Sequence, residues 1–126
     1  MAGLHHVSFG VNDVARAKAF YDPLLQILRL RVLKESPTAV HYGVDSIIFS
    51  LETPVDRRPA TAGNGTHIAF AAPDTATVDA FYREAIRLGA RDGGAPGPRP
   101  RYSEGYYGAF VFDPEGNKLE AVLDPP

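Results

Sequence analysis

The chain contains no cysteine, which excludes thiolate catalysis, a disulfide framework and any cysteine-ligated metal. A metal would have to be held by histidine, carboxylate or water. Positive charge is not in excess either. The 13 Lys plus Arg face 15 Asp plus Glu, for a formal charge of -2, whereas binding a phosphate backbone needs a surplus of cations. Nucleic acid is therefore not an expected partner. No stretch approaches the ~20 consecutive apolar residues of a membrane-spanning helix. The start, Met1-Ala2-Gly3-Leu4-His5-His6, has neither the basic nor the apolar region of a signal peptide. The expected location is the cytoplasm, with no membrane partner.

What is present fits one globular domain. At 126 residues the chain is close to the ~150 residues of a typical domain. Its 44% hydrophobic and 22% charged residues are ordinary for a folded protein.

The chain also repeats itself. At a shift of 61 residues, His6 falls on His67, Asp13 on Asp74, Ala19 on Ala80, Phe20 on Phe81 and Tyr21 on Tyr82, and such self-similarity marks a duplicated structural unit. In Val7-Ser8-Phe9-Gly10-Val11, large apolar residues alternate with small ones at the period of a strand with one packed face. The same parity puts His6, Ser8 and Gly10 on the other face, and His67, Ala69 and Ala71 likewise in the second copy. Asp13 and Asp74 stand where a helix N-cap is wanted. Beyond them, Ala17, Phe20, Tyr21, Leu24, Leu25 and Leu28, and then Val78, Phe81, Tyr82, Ala85 and Ile86, form apolar stripes that cover a sheet. Pro23 predicts a kink or restart near Asp22.

Strand-like runs follow at Leu30 to Val32, Ala39 to Tyr42, Ser46 to Leu51, Tyr106 to Phe112 and Lys118 to Leu123, and Asp113-Pro114-Glu115-Gly116 reads as the turn of a hairpin. The Gly/Pro-rich run from Gly93 to Pro100 reads as a surface loop. The expected fold is α+β: two βαβββ modules, residues 1–53 and 65–126, joined by a connector at 54–64, with a mostly antiparallel mixed sheet and helices on its outside.

Aligning the final strands at a shift of 71 places Phe49 on Glu120. Alternation then puts Lys118, Glu120 and Val122 on the face that carries His6 and His67. Two imidazoles and one carboxylate from separate strands are the donor set of a facial triad with open coordination positions. Fe, Mn, Ni, Co and Zn all accept this set. Tyr102, Tyr106 and Tyr107 are candidates to line a cavity, and adjacent Tyr106 and Tyr107 must point to opposite faces. Tyr107 is the candidate for a catalytic role beside Glu120. Arg99 and Arg101 are candidates to hold an anionic substrate group. His41 is read as a pocket-wall or surface residue.

The runs Leu4-His5-His6-Val7-Ser8-Phe9-Gly10-Val11-Asn12-Asp13, Ala19-Phe20-Tyr21, Gly65-Thr66-His67-Ile68-Ala69-Phe70 and Asp113-Pro114-Glu115-Gly116-Asn117-Lys118-Leu119-Glu120 resemble the vicinal oxygen chelate superfamily, the glyoxalase, bleomycin resistance and extradiol dioxygenase group. The resemblance implies paired βαβββ modules whose curled sheets enclose a cavity, a homodimer, and a divalent metal that binds two neighbouring substrate oxygens. It assigns His6, His67 and Glu120 as ligands. The slot for a fourth carboxylate falls on Phe49, which cannot bind a metal or accept a proton and would instead offer an aromatic wall to a substrate. Glu52 has parity opposite to Phe49 and so is expected to point away. The implied function is a small metal-dependent enzyme, of lyase, isomerase or dioxygenase type, acting on an oxygen-rich small molecule. The alternative is a metal-free protein that binds an antibiotic or aromatic metabolite.

Overall fold

The structure is a computed structural model and describes residues 3–125. The chain divides between Thr61 and Ala62 into two units. Each is one βαβββ module.

In the first unit, β1 (Val7–Gly10) leads into α1 (Val14–Ile27), followed by β2 (Arg31–Ser36), β3 (Ala39–Gly43) and β4 (Ile47–Glu52). The sheet order is β1-β4-β3-β2, with β1 parallel to β4 and the other pairs antiparallel. Asp13 caps α1 by accepting the amide hydrogen of Arg16 at 3.0 Å, which satisfies one of the donors a helix start leaves unpaired. Phe20, Tyr21, Leu24 and Leu25 are the buried residues of α1. With Val40, Tyr42, Phe49 and Leu51 of the sheet they make the core. The helix runs unbroken through Pro23, so the expected restart does not occur. Burial of Leu24 and Leu25 on the turn after the proline holds the helix together where local propensity alone would end it.

The second unit repeats this plan with β5 (His67–Ala71), α2 (Thr75–Arg87), β6 (Arg91–Pro98), β7 (Tyr107–Phe112) and β8 (Lys118–Leu123), in the order β5-β8-β7-β6. Asp74 caps α2 through Thr77. Val78, Phe81 and Ala85 pack over Ala109, Val111, Leu119 and Ala121. The β7–β8 turn closes as expected, with the Gly116 amide donating to the Asp113 carbonyl at 2.9 Å.

From Gly93 to Pro98 the Gly/Pro run is not a loop. Residues 91–98 form β6, the edge strand beside β7. An edge tolerates proline because one side of the strand needs no ladder hydrogen bonds. Two register shifts, between Asp92 and Gly94 and between Gly94 and Gly97, absorb the irregular residues. Gly93 leaves little room for a side chain: a Cβ there would lie 3.1 Å from the Phe112 ring and 3.2 Å from Phe110.

Candidate functional site

Backbone pairing fixes which side chains share a face. Val7 pairs with Phe49 in the first unit, and Ile68, its counterpart in the repeat, pairs with Leu119 in the second. Phe49 therefore matches Leu119, and the residue matching Glu120 is Ser50. The register differs by one from the expected alignment, and one residue moves a strand's whole side-chain set to the opposite face. Phe49 is 1% exposed and packs in the core, its ring 5.4 Å from that of Tyr21 on α1 and 5.2 Å edge-on from Phe9. It is no cavity wall. Glu52 does have parity opposite to Phe49, and for that reason it lies on the open face.

On the open face of the first unit, a cavity of about 210 Å³ is lined by His5, His6, Ser8, His41, Ser50 and Glu52. Ser50, only 2% exposed, lies 2.6 Å from Nδ1 of His41 through its hydroxyl. His41 is thus a wall of this cavity. His6 sits at the entrance to β1, its Nδ1 2.8 Å from Nδ1 of His5.

The open face of the second unit carries Glu120. Its residue exposure is 2%, and a carboxylate so buried needs partners for both oxygens. Oε1 lies 3.2 Å from Nε2 of His67, and Oε2 accepts the hydroxyl hydrogen of Tyr106. Gly108 makes room for this contact, since a Cβ there would sit 3.1 Å from Oε2. Burial, and then the hydrogen bond to Glu120, push the Tyr106 phenol well above its ordinary value, so Tyr106 stays protonated and donating.

Tyr107 turns the other way. Its hydroxyl donates to Oδ1 of Asp79 on α2 at 2.7 Å, and that bond is the first cause of its raised pKa. Tyr106, the residue before β7, and Tyr107, its first residue, point to opposite faces, and it is Tyr106, not Tyr107, that meets Glu120. Tyr102 is half exposed, with its ring edge-on to Tyr106 at 5.1 Å. Arg101 donates to the Tyr102 hydroxyl at 3.1 Å. Arg99 spends its guanidinium on the carbonyls of Ala95 and Pro98.

Among the described residues, no group of three or more His, Cys, Asp or Glu side chains could enclose a cation. What the structure does assemble is the pair His67 and Glu120, while His6 belongs to the other unit. The pair suits a divalent ion. Two ligands at right angles, each ~2.1 Å from a cation, stand about 3 Å apart, close to the observed 3.2 Å. His67 is accessible, with 46% of its side chain exposed, and neutral imidazole beside carboxylate is an N/O donor set that such ions accept.

No curated protein matches the chain significantly. Among solved structures, a glyoxalase/bleomycin resistance protein from Albidiferax ferrireducens T118 is 35% identical, with a TM-score of 0.86 over 96% of this chain and 98% of that one. A putative glyoxalase from Bacillus halodurans is 22% identical, with a TM-score of 0.77 over 98% and 97% of the two chains. Lactoylglutathione lyase from Agrobacterium tumefaciens is also 22% identical, with a TM-score of 0.65 over 97% and 93%. The family model for the Glyoxalase/Bleomycin resistance protein/Dioxygenase superfamily matches residues 3–121, and the chain belongs to that superfamily.

Proposed function

We propose that the protein is a metal-dependent enzyme that binds an oxygen-rich small molecule at a divalent ion, with His67 and Glu120 as two of its ligands. The observation that carries this reading is the contact of a buried carboxylate with an accessible imidazole at 3.2 Å. A bound divalent ion would supply Lewis-acid polarisation of a coordinated oxygen. Glu120 contributes the negative charge. Tyr106 occupies Oε2 and leaves Oε1 facing His67, so the carboxylate is presented by one oxygen. Such outer partners hold a ligand's orientation and are worth ~10–100-fold in metal affinity. Tyr102, with Arg101 on its hydroxyl, would form part of the substrate wall next to Tyr106. Ser50, in the position matching Glu120, is a neutral polar group where glyoxalase-type members place a fourth carboxylate. Any proton transfer would then fall to another group, and His41 and Glu52 face the first unit's cavity.

Elemental analysis of tag-free protein, after incubation with Mn, Fe, Ni, Co and Zn salts and gel filtration, tests the reading. Near-stoichiometric metal is expected in the parent, with loss in His67→Ala and in Glu120→Gln. A parent that retains none of the five would leave a metal-free small-molecule binder as the better account.

A further inference from the structure

The second sheet has a row of side chains of which the metal reading uses only His67. Arg91 on β6 pairs with Phe112 on β7, Phe112 pairs with Lys118 on β8, and Lys118 pairs with His67 on β5. Directly paired residues share a face, so this row crosses all four strands on the side that carries Glu120. Both cations are seated on aromatic rings. The Arg91 guanidinium lies 4.2 Å from the centre of the Phe112 ring, and Lys118 Nζ lies 4.9 Å from that of Phe110. Neither forms an ion pair with any carboxylate among the described residues. The row borders a cleft of about 490 Å³ that Asn64, Gly65 and Thr66 also line, and no Asp or Glu lines it. The chain as a whole carries a formal charge of -2, so a cleft lined only by cations and neutral groups is a local reversal of sign.

We propose that this cleft is an oxyanion site, which takes the carboxylate or phosphate group of a small molecule between Arg91 and Lys118. The rings hold the two cationic heads in place, and a head already held loses less freedom when a ligand arrives. Arginine offers a fork of N–H donors that matches a carboxylate or phosphate edge, and lysine offers a compact point charge with three donors. Thr66 adds a hydroxyl to the same cleft. His67 belongs to both this row and the ligand pair, so the anionic group would be the end of the molecule whose other oxygens reach the metal. Only that last step rests on the proposed function. The cleft itself needs no metal.

The test uses whole protein dialysed against EDTA and titrated by calorimetry with inorganic phosphate and, separately, with succinate, at ionic strength held constant with chloride. Saturable binding of at least one probe is expected, weakened at least tenfold in Arg91→Gln and in Lys118→Gln. Arg87→Gln removes a cation that is paired with Glu84 on α2 and should bind as the parent does. Which probe saturates at lower concentration tells a phosphate from a carboxylate site. Non-saturable binding, or binding indifferent to both cleft substitutions while their circular dichroism melts match the parent, would overturn the proposal. Because the protein is metal-free throughout, failure here is separate from failure of the elemental analysis, and success here does not depend on it.

Discussion

A buried hydroxyl needs an acceptor as much as a buried carboxylate needs donors, and the first unit shows this at Tyr42. The side chain is 1% exposed, and its hydroxyl donates to Oδ1 of Asp22 at 2.7 Å, while Lys18 holds the other oxygen of Asp22. Burial first, then the Asp22 bond, push the phenol well above its ordinary value near 10. The sign of the consequence follows from proton counting. Above about pH 10 the unfolded chain loses this proton and the folded chain keeps it, so the unfolded state binds fewer protons and stability falls as pH rises. Below pH 10 the contribution is fully present. Urea midpoints measured from pH 8 to 11 should therefore drop for the parent, and drop less steeply for Tyr42→Phe, which has no phenol to ionise. An equal drop in both would mean that Tyr42 is not the group responsible. At the same scale, the pairing of Glu120 with Tyr106 was half legible in the sequence. Alternation required one of Tyr106 and Tyr107 to face the site, but which one depends on a strand phase that only the backbone ladder sets.

Elements whose signals are local were the most readable. Asp13 and Asp74 mark the helix starts because a short carboxylate reaches amides three residues on, and Asp113-Pro114-Glu115-Gly116 marks a turn because its own atoms close it. β6 was hidden because its glycines and prolines disfavour a strand, and what makes it one is Phe110 and Phe112 of the neighbouring strand lying over those glycines. The restart expected at Pro23 fails for the same reason, since packing outweighed a local penalty. The helix ends show a difference between the repeats that sequence alone did not reveal. After α2, Gly89 takes φ +102°, and at the matching point after α1, Arg29 takes φ 64°. The left-handed region suits glycine and costs an L side chain ~1–2 kcal/mol. Glycine gives back ~0.4–1 kcal/mol in unfolded-chain entropy. Arg29→Gly should thus raise unfolding free energy by about 0.5–1 kcal/mol, and Gly89→Ala should lower it by about the same, both read from urea unfolding. Two changes of the same sign would show that the helix ends are not equivalent.

Over the whole molecule, duplication was legible from His6 and His67, Asp13 and Asp74, and the Ala-Phe-Tyr triplets, yet the register between the last strands of the two halves was not. Ile47-Ile48-Phe49-Ser50-Leu51 places apolar residues on both faces, so alternation cannot choose a phase, and similarity to Leu119 and Glu120 chose the wrong one by a single residue. The consequence is a sharp contrast between neighbours. Phe49→Glu would put a carboxylate among Phe9, Tyr21 and Tyr42, losing a buried ring at ~3–5 kcal/mol and adding an unpaired buried charge, together comparable with the ~5–15 kcal/mol that holds a domain folded. Ser50→Glu would put the same carboxylate beside His41 at the edge of the first unit's cavity, where an imidazole can partner it. Circular dichroism should therefore find Phe49→Glu unfolded or grossly destabilised at 25 °C and Ser50→Glu folded with a cooperative melt. The reverse outcome would restore the 71-residue register and return Phe49 to the open face.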